Sequence, residues 1–179
     1  MSAPQPIMLR PYQNDAVARV RDAYRVGRRR VLLVSPTGSG KTVTFAHILA
    51  GAARRGKRVL ILAHRAEIIE QIEAALKLAG VAYGVIAAGH PEIDSPVQIA
   101  SVATVARRLD RWRDRFDFVV VDECHRSVAG SWAAVLASQP RAHVLGVTAT
   151  PERLDGRGLG ELFDELVVGP STAELIKAG

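Results

Sequence analysis

Val31-Leu32-Leu33-Val34-Ser35-Pro36-Thr37-Gly38-Ser39-Gly40-Lys41-Thr42 runs from a short β-branched apolar segment, through a glycine-bearing loop, into the helix-forming stretch TVTFAHILAGAARR at 42–55. Strand, loop, helix is the context in which a phosphate-binding loop is credible. Glycines let the backbone curl so that successive N–H groups point inward at phosphate oxygens, and the helix N-terminus adds its dipole. Pro36, Thr37, Gly38, Ser39 and Gly40 would line the cradle, Lys41 would neutralise the β- and γ-phosphates, and Thr42 would set its hydroxyl on Mg²⁺. Ser35 stands where such loops usually begin with glycine or alanine, and it too is small. The bland alternative is a Gly-Ser turn capped by a helix, and the buried strand before the loop weighs against it.

Working outward, the same alternation repeats. RVLILAH (58–64), VQIASV (97–102), FDFVVVD (116–122) and HVLGVTA (143–149) each read as a strand buried on both faces. AEIIEQIEAALKLAG (66–80) carries Ile68, Ile69, Ile72, Leu76 and Leu78 mainly on one helical face and stops at Gly80. VAYGVIAAG (81–89) reads as a further strand, GHPEIDSP (89–96) as a turn-rich loop, and residues 10–26 as a helix started by Pro11. ELVVG (165–169) is a last apolar run, after which Ser171 would cap a helix over TAELIKAG. Strands joined by helical crossovers imply an α/β fold, a mainly parallel sheet with helices on both faces. One domain over 1–179 is expected, and its truncated last helix reads as the edge of a larger protein.

Composition narrows the classes. Apolar residues make up 48% and charged ones 23%, which suits a packed domain rather than a disordered chain. No apolar run reaches the roughly 18 residues of a membrane span, and MSAPQPIMLRPYQ has no export signal, so no membrane partner and a cytoplasmic setting are expected. The single cysteine, Cys124, has no disulfide or zinc companion. Net charge is +6, with 20 arginines among the 24 basic residues. They cluster at Arg19, Arg21, Arg25, Arg28, Arg29, Arg30 and at Arg107, Arg108, Arg111, Arg113, Arg115. On charge alone, a polyanion partner and a solvated basic face fit equally.

A phosphate loop that holds a metal needs an acidic partner, and Val119-Val120-Val121-Asp122-Glu123 offers one at the end of a buried strand. Parallel sheets gather ligand chemistry at the carboxyl ends of strands, where Ser35 and Asp122 would both emerge. Asp122 would hold Mg²⁺ through water and Glu123 would polarise the attacking water.

Asp122-Glu123-Cys124-His125 is a DExH box, and the chain resembles the superfamily 2 helicases of the DEAD/DEAH group. Thr148-Ala149-Thr150 looks like their motif III. Its extension Thr-Ala-Thr-Pro-Glu-Arg is similar to that of double-strand DNA translocases and of type I or III restriction motor subunits. Arg10-Pro11-Tyr12-Gln13 matches the adenine-reading element, Ala63-His64-Arg65 with Ile69-Glu70-Gln71 motif Ia, and Ser101 to Arg107 the motif Ib region. Within the superfamily the combination most resembles RadD-like and, more loosely, XPB-type helicases.

The resemblance implies a RecA-like first lobe that binds ATP and Mg²⁺ and completes its site with a second RecA-like lobe of the same parent chain, absent here. It assigns Arg10 and Gln13 to adenine, Lys41, Glu123 and His125 to catalysis, and Thr148 and Thr150 to coupling. Arg65, Thr104 and Arg107 would meet nucleic acid, DNA rather than RNA because no Asp-Glu-Ala-Asp or Ser-Ala-Thr motif is present. The implied activity is ATP hydrolysis driving movement on DNA. A nucleotide-dependent binding switch without motor activity is the rival. Trp112 and Trp132 are expected to pack in the core or at its edge rather than stack on bases.

Overall fold

The computed structural model describes residues 8–122, 130–149, 162–171 and 173–175. Thirteen elements follow in the order α1 (Pro11–Arg25), β1 (Arg30–Val34), α2 (Lys41–Arg54), β2 (Val59–Ala63), α3 (Ala66–Leu78), β3 (Gly84–Ile86), β4 (Val97–Ser101), α4 (Val102–Ala106), α5 (Leu109–Trp112), β5 (Phe118–Val121), α6 (Gly130–Ala137), β6 (His143–Thr148) and β7 (Glu165–Val168). The seven strands form one sheet in the order β3-β4-β2-β5-β6-β1-β7. Every pairing in it is parallel, for example Val31 opposite Leu145 and Val59 opposite Phe118.

Side chains of a strand alternate between its faces, and here both faces are apolar. Val31, Leu33, Val59, Ile61, Ala63, Val120, Leu145 and Val147 turn to one side and pack on α1, α2 and α3 through residues such as Val17, Phe45 and Ile72. Leu32, Val34, Leu60, Leu62, Val119 and Val121 turn to the other and pack on α4, α5 and α6 through Val105, Trp112 and Leu136. The expected α/β architecture with helices on both faces is therefore present. Trp112 and Trp132 are buried in the second layer, as the packing reading expects.

Three details differ from the sequence reading. The strand expected over 81–89 contracts to Gly84–Ile86. A methyl at Gly84 would collide with the Ile93 carbonyl and the Gln98 amide, so the close approach of the following loop limits the pairing. Leu78 is exposed, because α3 ends there and the chain turns at Gly80, φ +65°. The short helices α4, α5 and α6 are additional to the elements read from the sequence. At the other end, Ser171 caps as expected: its hydroxyl accepts the Glu174 N–H at 3.2 Å while the Glu174 carboxylate accepts the Ser171 N–H at 2.7 Å. Among the described residues no helix is long and apolar enough to cross a membrane.

Two histidines lie on the first layer. Burial, then the nearby Arg29 and Lys57, holds the His143 imidazole below its ordinary pKa against the opposing pull of Asp117. Burial, then Arg21 and Arg54, does the same to His47. A histidine whose folded pKa is depressed takes its proton first in the unfolded chain, so stability is intact above the unfolded value of about 6.5 and declines as pH falls through it. The loss stops once pH drops below the folded values. The urea midpoint should thus fall between neutral pH and about pH 5.5, and His143→Gln should flatten part of that slope; an identical slope in the variant would contradict the assignment.

Candidate nucleotide site

The site stands at the carboxyl edge of the sheet, and the strand order brings it together. β1 delivers Ser35 and the loop, β5 delivers Asp122, and β6 lies between them and ends at Thr148, which is fully buried. The Ser35 N–H donates to the Thr148 carbonyl at 2.9 Å, so the loop leaves the ladder at a residue bonded to the first position of the TAT sequence. On the other flank the Gly169 N–H donates to the Val34 carbonyl at 2.7 Å. Backbone bonding continues at Asp122, whose N–H donates to the Leu62 carbonyl at 3.3 Å.

The loop is held by short-range bonds that leave its turn residues facing out. Ser35 donates its hydroxyl to that of Ser39 at 2.7 Å, the Ser39 N–H reaches the Pro36 carbonyl at 3.2 Å, and the Lys41 ammonium reaches the same carbonyl at 3.2 Å. Thr37 and Gly38 are exposed. Gly38 has φ +83° and Gly40 φ +75°, the left-handed region that glycine enters without penalty. Gly40 is also the residue before α2, whose first two residues are Lys41 and Thr42. A loop of this shape with a helix N-terminus behind it binds anions by geometry.

Gln13 supports the loop from α1. It is buried, its amide oxygen accepts the Arg10 N–H at 2.9 Å, and its amide nitrogen donates to the carbonyls of Ser39 at 3.0 Å and Gly40 at 3.4 Å. Tyr12 donates its hydroxyl to the Ser39 carbonyl at 3.3 Å and accepts from Arg10 at the same distance. The sequence reading gives Gln13 to the adenine edge; the fold adds this second task of bracing the phosphate loop. Tyr12, which the sequence reading left without a role, braces it too.

Beside the loop lies a cleft of about 560 Å³ between the start of α1 and the chain leaving β7, lined by Arg10, Tyr12, Asp15, Arg19, Pro170 and Glu174 among others. Tyr12 and Pro170 also line a small cavity under the loop with Ser35, Ser39 and Lys41, so cleft and loop are contiguous. Arg19 ties the two walls by donating to the Val168 carbonyl at 2.7 Å. Nothing in the sequence signals that Val168, Gly169, Pro170 and Glu174 would meet the start of α1, because that contact arises only once β7 pairs with β1.

The donor set near the loop is a threonine hydroxyl and a carboxylate, hard oxygen ligands of the kind Mg²⁺ takes alongside nucleotide phosphates. Thr42 at the start of α2 and Asp122 after β5 both belong to this edge, separated by the width of β6. Glu123, His125 and Thr150 lie outside the described residues. Arg65 stands just before α3 after β2, and Thr104 and Arg107 sit on and after α4 beyond β4. All three occupy the same edge of the sheet as the loop, on the side toward β3, and both arginines are exposed.

Residues 6–153 match the family model of the type III restriction enzyme, res subunit. The chain is 34% identical over 187 residues to the putative ATP-dependent helicase IRC3 of Saccharomyces cerevisiae, covering 94% of this chain and 27% of that protein. It thus spans about a quarter of the length of that curated relative. Among solved structures it resembles the UvsW helicase from bacteriophage T4, with a TM-score of 0.77 at 19% identity over 93% of this chain and 62% of that one. It also resembles the Sulfolobus solfataricus SWI2/SNF2 ATPase core solved in complex with dsDNA, with a TM-score of 0.70 at 18% identity over 90% of this chain and 37% of that one. Both structural likenesses establish the RecA-like fold.

Gly40→Ala tests the loop geometry. A β-carbon there would sit 2.5 Å from the Gln13 amide nitrogen and force a left-handed conformation that disfavours alanine by about 1 to 2 kcal/mol. The variant should lose stability by about that amount in urea titration and lose measurable affinity for MgATP. Wild-type affinity in a folded variant would show that the brace between α1 and the loop is dispensable.

Proposed function

The chain belongs to the family of the type III restriction enzyme res subunit, and we propose that it is the ATP-binding lobe of a superfamily 2 helicase or translocase that works on DNA. The observation that carries this reading is the shared edge on which the Lys41–Thr42 loop, Asp122 and Thr148 emerge from three successive strands, β1, β6 and β5. Phosphates bind to the loop amides and Lys41, and the base enters the cleft beside Arg10 and Tyr12. Gln13 can meet the adenine edge only by exchanging a loop carbonyl for the base, so base recognition and loop shape become one equilibrium.

Thr42 and Asp122 are the residues that would hold Mg²⁺, which when bound neutralises charge on the β- and γ-phosphates. Lys41 adds a second positive charge on the same side. Glu123 takes the proton of the attacking water as general base. His125, following it, links the nucleotide to Thr148 and Thr150. Because Thr148 shares a backbone bond with Ser35, a change at the loop is felt directly at β6.

Arg65, Thr104 and Arg107 meet the phosphodiester backbone on the β2–β4 side of the edge, a contact that carries no base specificity. DNA is favoured by the Thr148 to Arg153 sequence and by the dsDNA complex of the SWI2/SNF2 neighbour. A second RecA-like lobe, carried elsewhere in a longer parent, brings the arginine that neutralises charge developing on the γ-phosphate, worth about 10³ to 10⁵ in rate. The share of IRC3 that this chain covers leaves room for it.

Two expectations follow from these roles. Lys41→Ala removes a charge from the cradle and should abolish MgATP binding, whereas Glu123→Gln removes only the base and should keep binding while blocking turnover; calorimetric titration beside a steady-state assay separates them, and unchanged hydrolysis in Glu123→Gln would take Glu123 out of the mechanism. The 179 residues alone should bind MgATP, hydrolyse it very slowly and respond little to duplex DNA. Turnover and DNA stimulation equal to those of a longer parent chain would show that the catalytic unit is complete without a second lobe.

A further inference from the structure

The arginines that cluster in the sequence divide into two kinds in the fold. In the later cluster Arg108 and Arg111 both pair with Glu92, and Arg113 pairs with Asp110. Nearby, Arg58 meets Asp94 and Arg141 meets Asp114. In the earlier cluster Arg19, Arg25 and Arg28 meet Asp15, Asp22 and Glu165. Arg21 behaves differently. It turns toward α2, where a methyl group at Gly51 would lie 3.9 Å from its Nη2 and 3.8 Å from Nη1 of Arg55.

Two guanidinium groups from different helices therefore lean over one glycine, and among the described residues no carboxylate comes within ion-pairing distance of Arg21, Arg54 or Arg55. Arg55 spends one N–H on a long bond to the Gly51 carbonyl at 3.5 Å, which leaves the rest of its fork open. His47 stands one turn before Gly51 on the same face of α2. Arg54, three residues after Gly51 and seven after His47, belongs to the same face of α2, and burial, then Arg21 and Arg54, holds the His47 imidazole below its ordinary pKa. Like charges gathered with no acid between them repel, and the arrangement gains most when an anion from outside enters. Guanidinium forks match phosphate oxygens two at a time.

From Thr44 to Arg55, α2 exposes no large apolar side chain, so this face offers charge without the apolar anchors that protein partners need. His47 to Arg55 covers about 12 Å of helix, enough to follow about three successive phosphates of one strand. α1 and α2 both run away from the nucleotide edge, and Arg21, Arg54 and Arg55 lie toward their far ends. The place is thus remote from Arg65, Thr104 and Arg107.

We propose that the α1–α2 face around Gly51, with Arg21, Arg54 and Arg55, is a second, sequence-independent contact for polynucleotide phosphates, separate from the one at the sheet edge. It rests on the reading that the chain works on nucleic acid and extends it to a segment of duplex that the edge does not hold. A motor that grips its track on one edge gains, through this face, a hold on a second arm of the same molecule.

The test is fluorescence anisotropy of a short labelled duplex across a salt series. It compares the wild-type chain, the triple variant Arg21→Ala/Arg54→Ala/Arg55→Ala, the corresponding triple lysine variant, and the edge variant Arg65→Ala/Arg107→Ala. Each phosphate contact contributes about 0.9 to the slope of log affinity against log salt, so the alanine triple should lower the slope by about 2 to 3 and the lysine triple should restore most of it. The edge variant should retain that arginine-dependent part. Should the alanine triple prove unstable, Arg54→Glu/Arg55→Glu, at two exposed positions, makes the same comparison with a larger expected loss.

A wild-type slope in the patch variants, with binding lost only in the edge variant, would overturn this proposal and leave the nucleic-acid reading standing. No duplex binding by the wild-type chain at any salt would overturn both. Binding of labelled polyglutamate but not duplex, through the same arginines, would assign the face to an acidic protein instead.

Discussion

The structure depends on β1 being paired on both sides and leaving its ladder at Ser35. The Thr148 carbonyl holds the Ser35 N–H at 2.9 Å, and the Val34 carbonyl holds the Gly169 N–H at 2.7 Å. A phosphate loop works only if its base is fixed, and two flanking strands fix that base through Val34 and Ser35. The same pairing decides what stands beside the loop. β6 on one side carries Thr148 and spaces Asp122 from the loop, and β7 on the other brings Val168, Gly169, Pro170 and Glu174 alongside α1 to form the cleft. A change of one residue in either register would move these groups together.

Much of the fold was legible because the strands of a buried parallel sheet are continuous apolar runs and their crossovers are periodic helices. β2, β4, β5 and β6 fall within the runs 58–64, 97–102, 116–122 and 143–149, and β1 is offset by one residue from the run 31–35. What was missed was missed for physical reasons. α4 is only five residues, Val102–Ala106, continues directly from β4 and is rich in β-branched side chains, so it has neither a break nor a helical composition to announce it. In α6, GSWAAVLA is almost wholly apolar and shows no stripe to mark a helix. The brevity of β3 follows from Gln98, whose amide donates to the Ile93 carbonyl at 2.8 Å and the Ser95 carbonyl at 3.2 Å and draws that loop over Gly84. No local pattern encodes a contact of that kind.

The candidate site was legible in part. Motif spacing named the loop, Asp122 and Thr148, and the fold brings them to one edge; it also aligns Arg65, Thr104 and Arg107 along the same edge. The bracing role of Gln13 and Tyr12 and the cleft wall at Pro170 are tertiary facts. The arginine clusters carried the least information as sequence, since Arg108, Arg111 and Arg113 neutralise acids while Arg21, distant in sequence from Arg55, shares a glycine with it. A charge count does not distinguish a paired guanidinium from an open one.

On the proposed reading MgATP occupies the carboxyl edge at the end of β1, with its phosphates on the loop and its base in the adjoining cleft. The most direct measurement is a titration of ¹⁵N-labelled chain with MgATP followed by amide chemical shifts. The largest changes should fall at Gly38, Ser39, Gly40, Lys41 and Thr42, with a second group at Tyr12, Gln13 and Gly169, while β3 and the far ends of α1 and α2 stay still. Changes centred away from the loop, or none at saturating nucleotide, would contradict it.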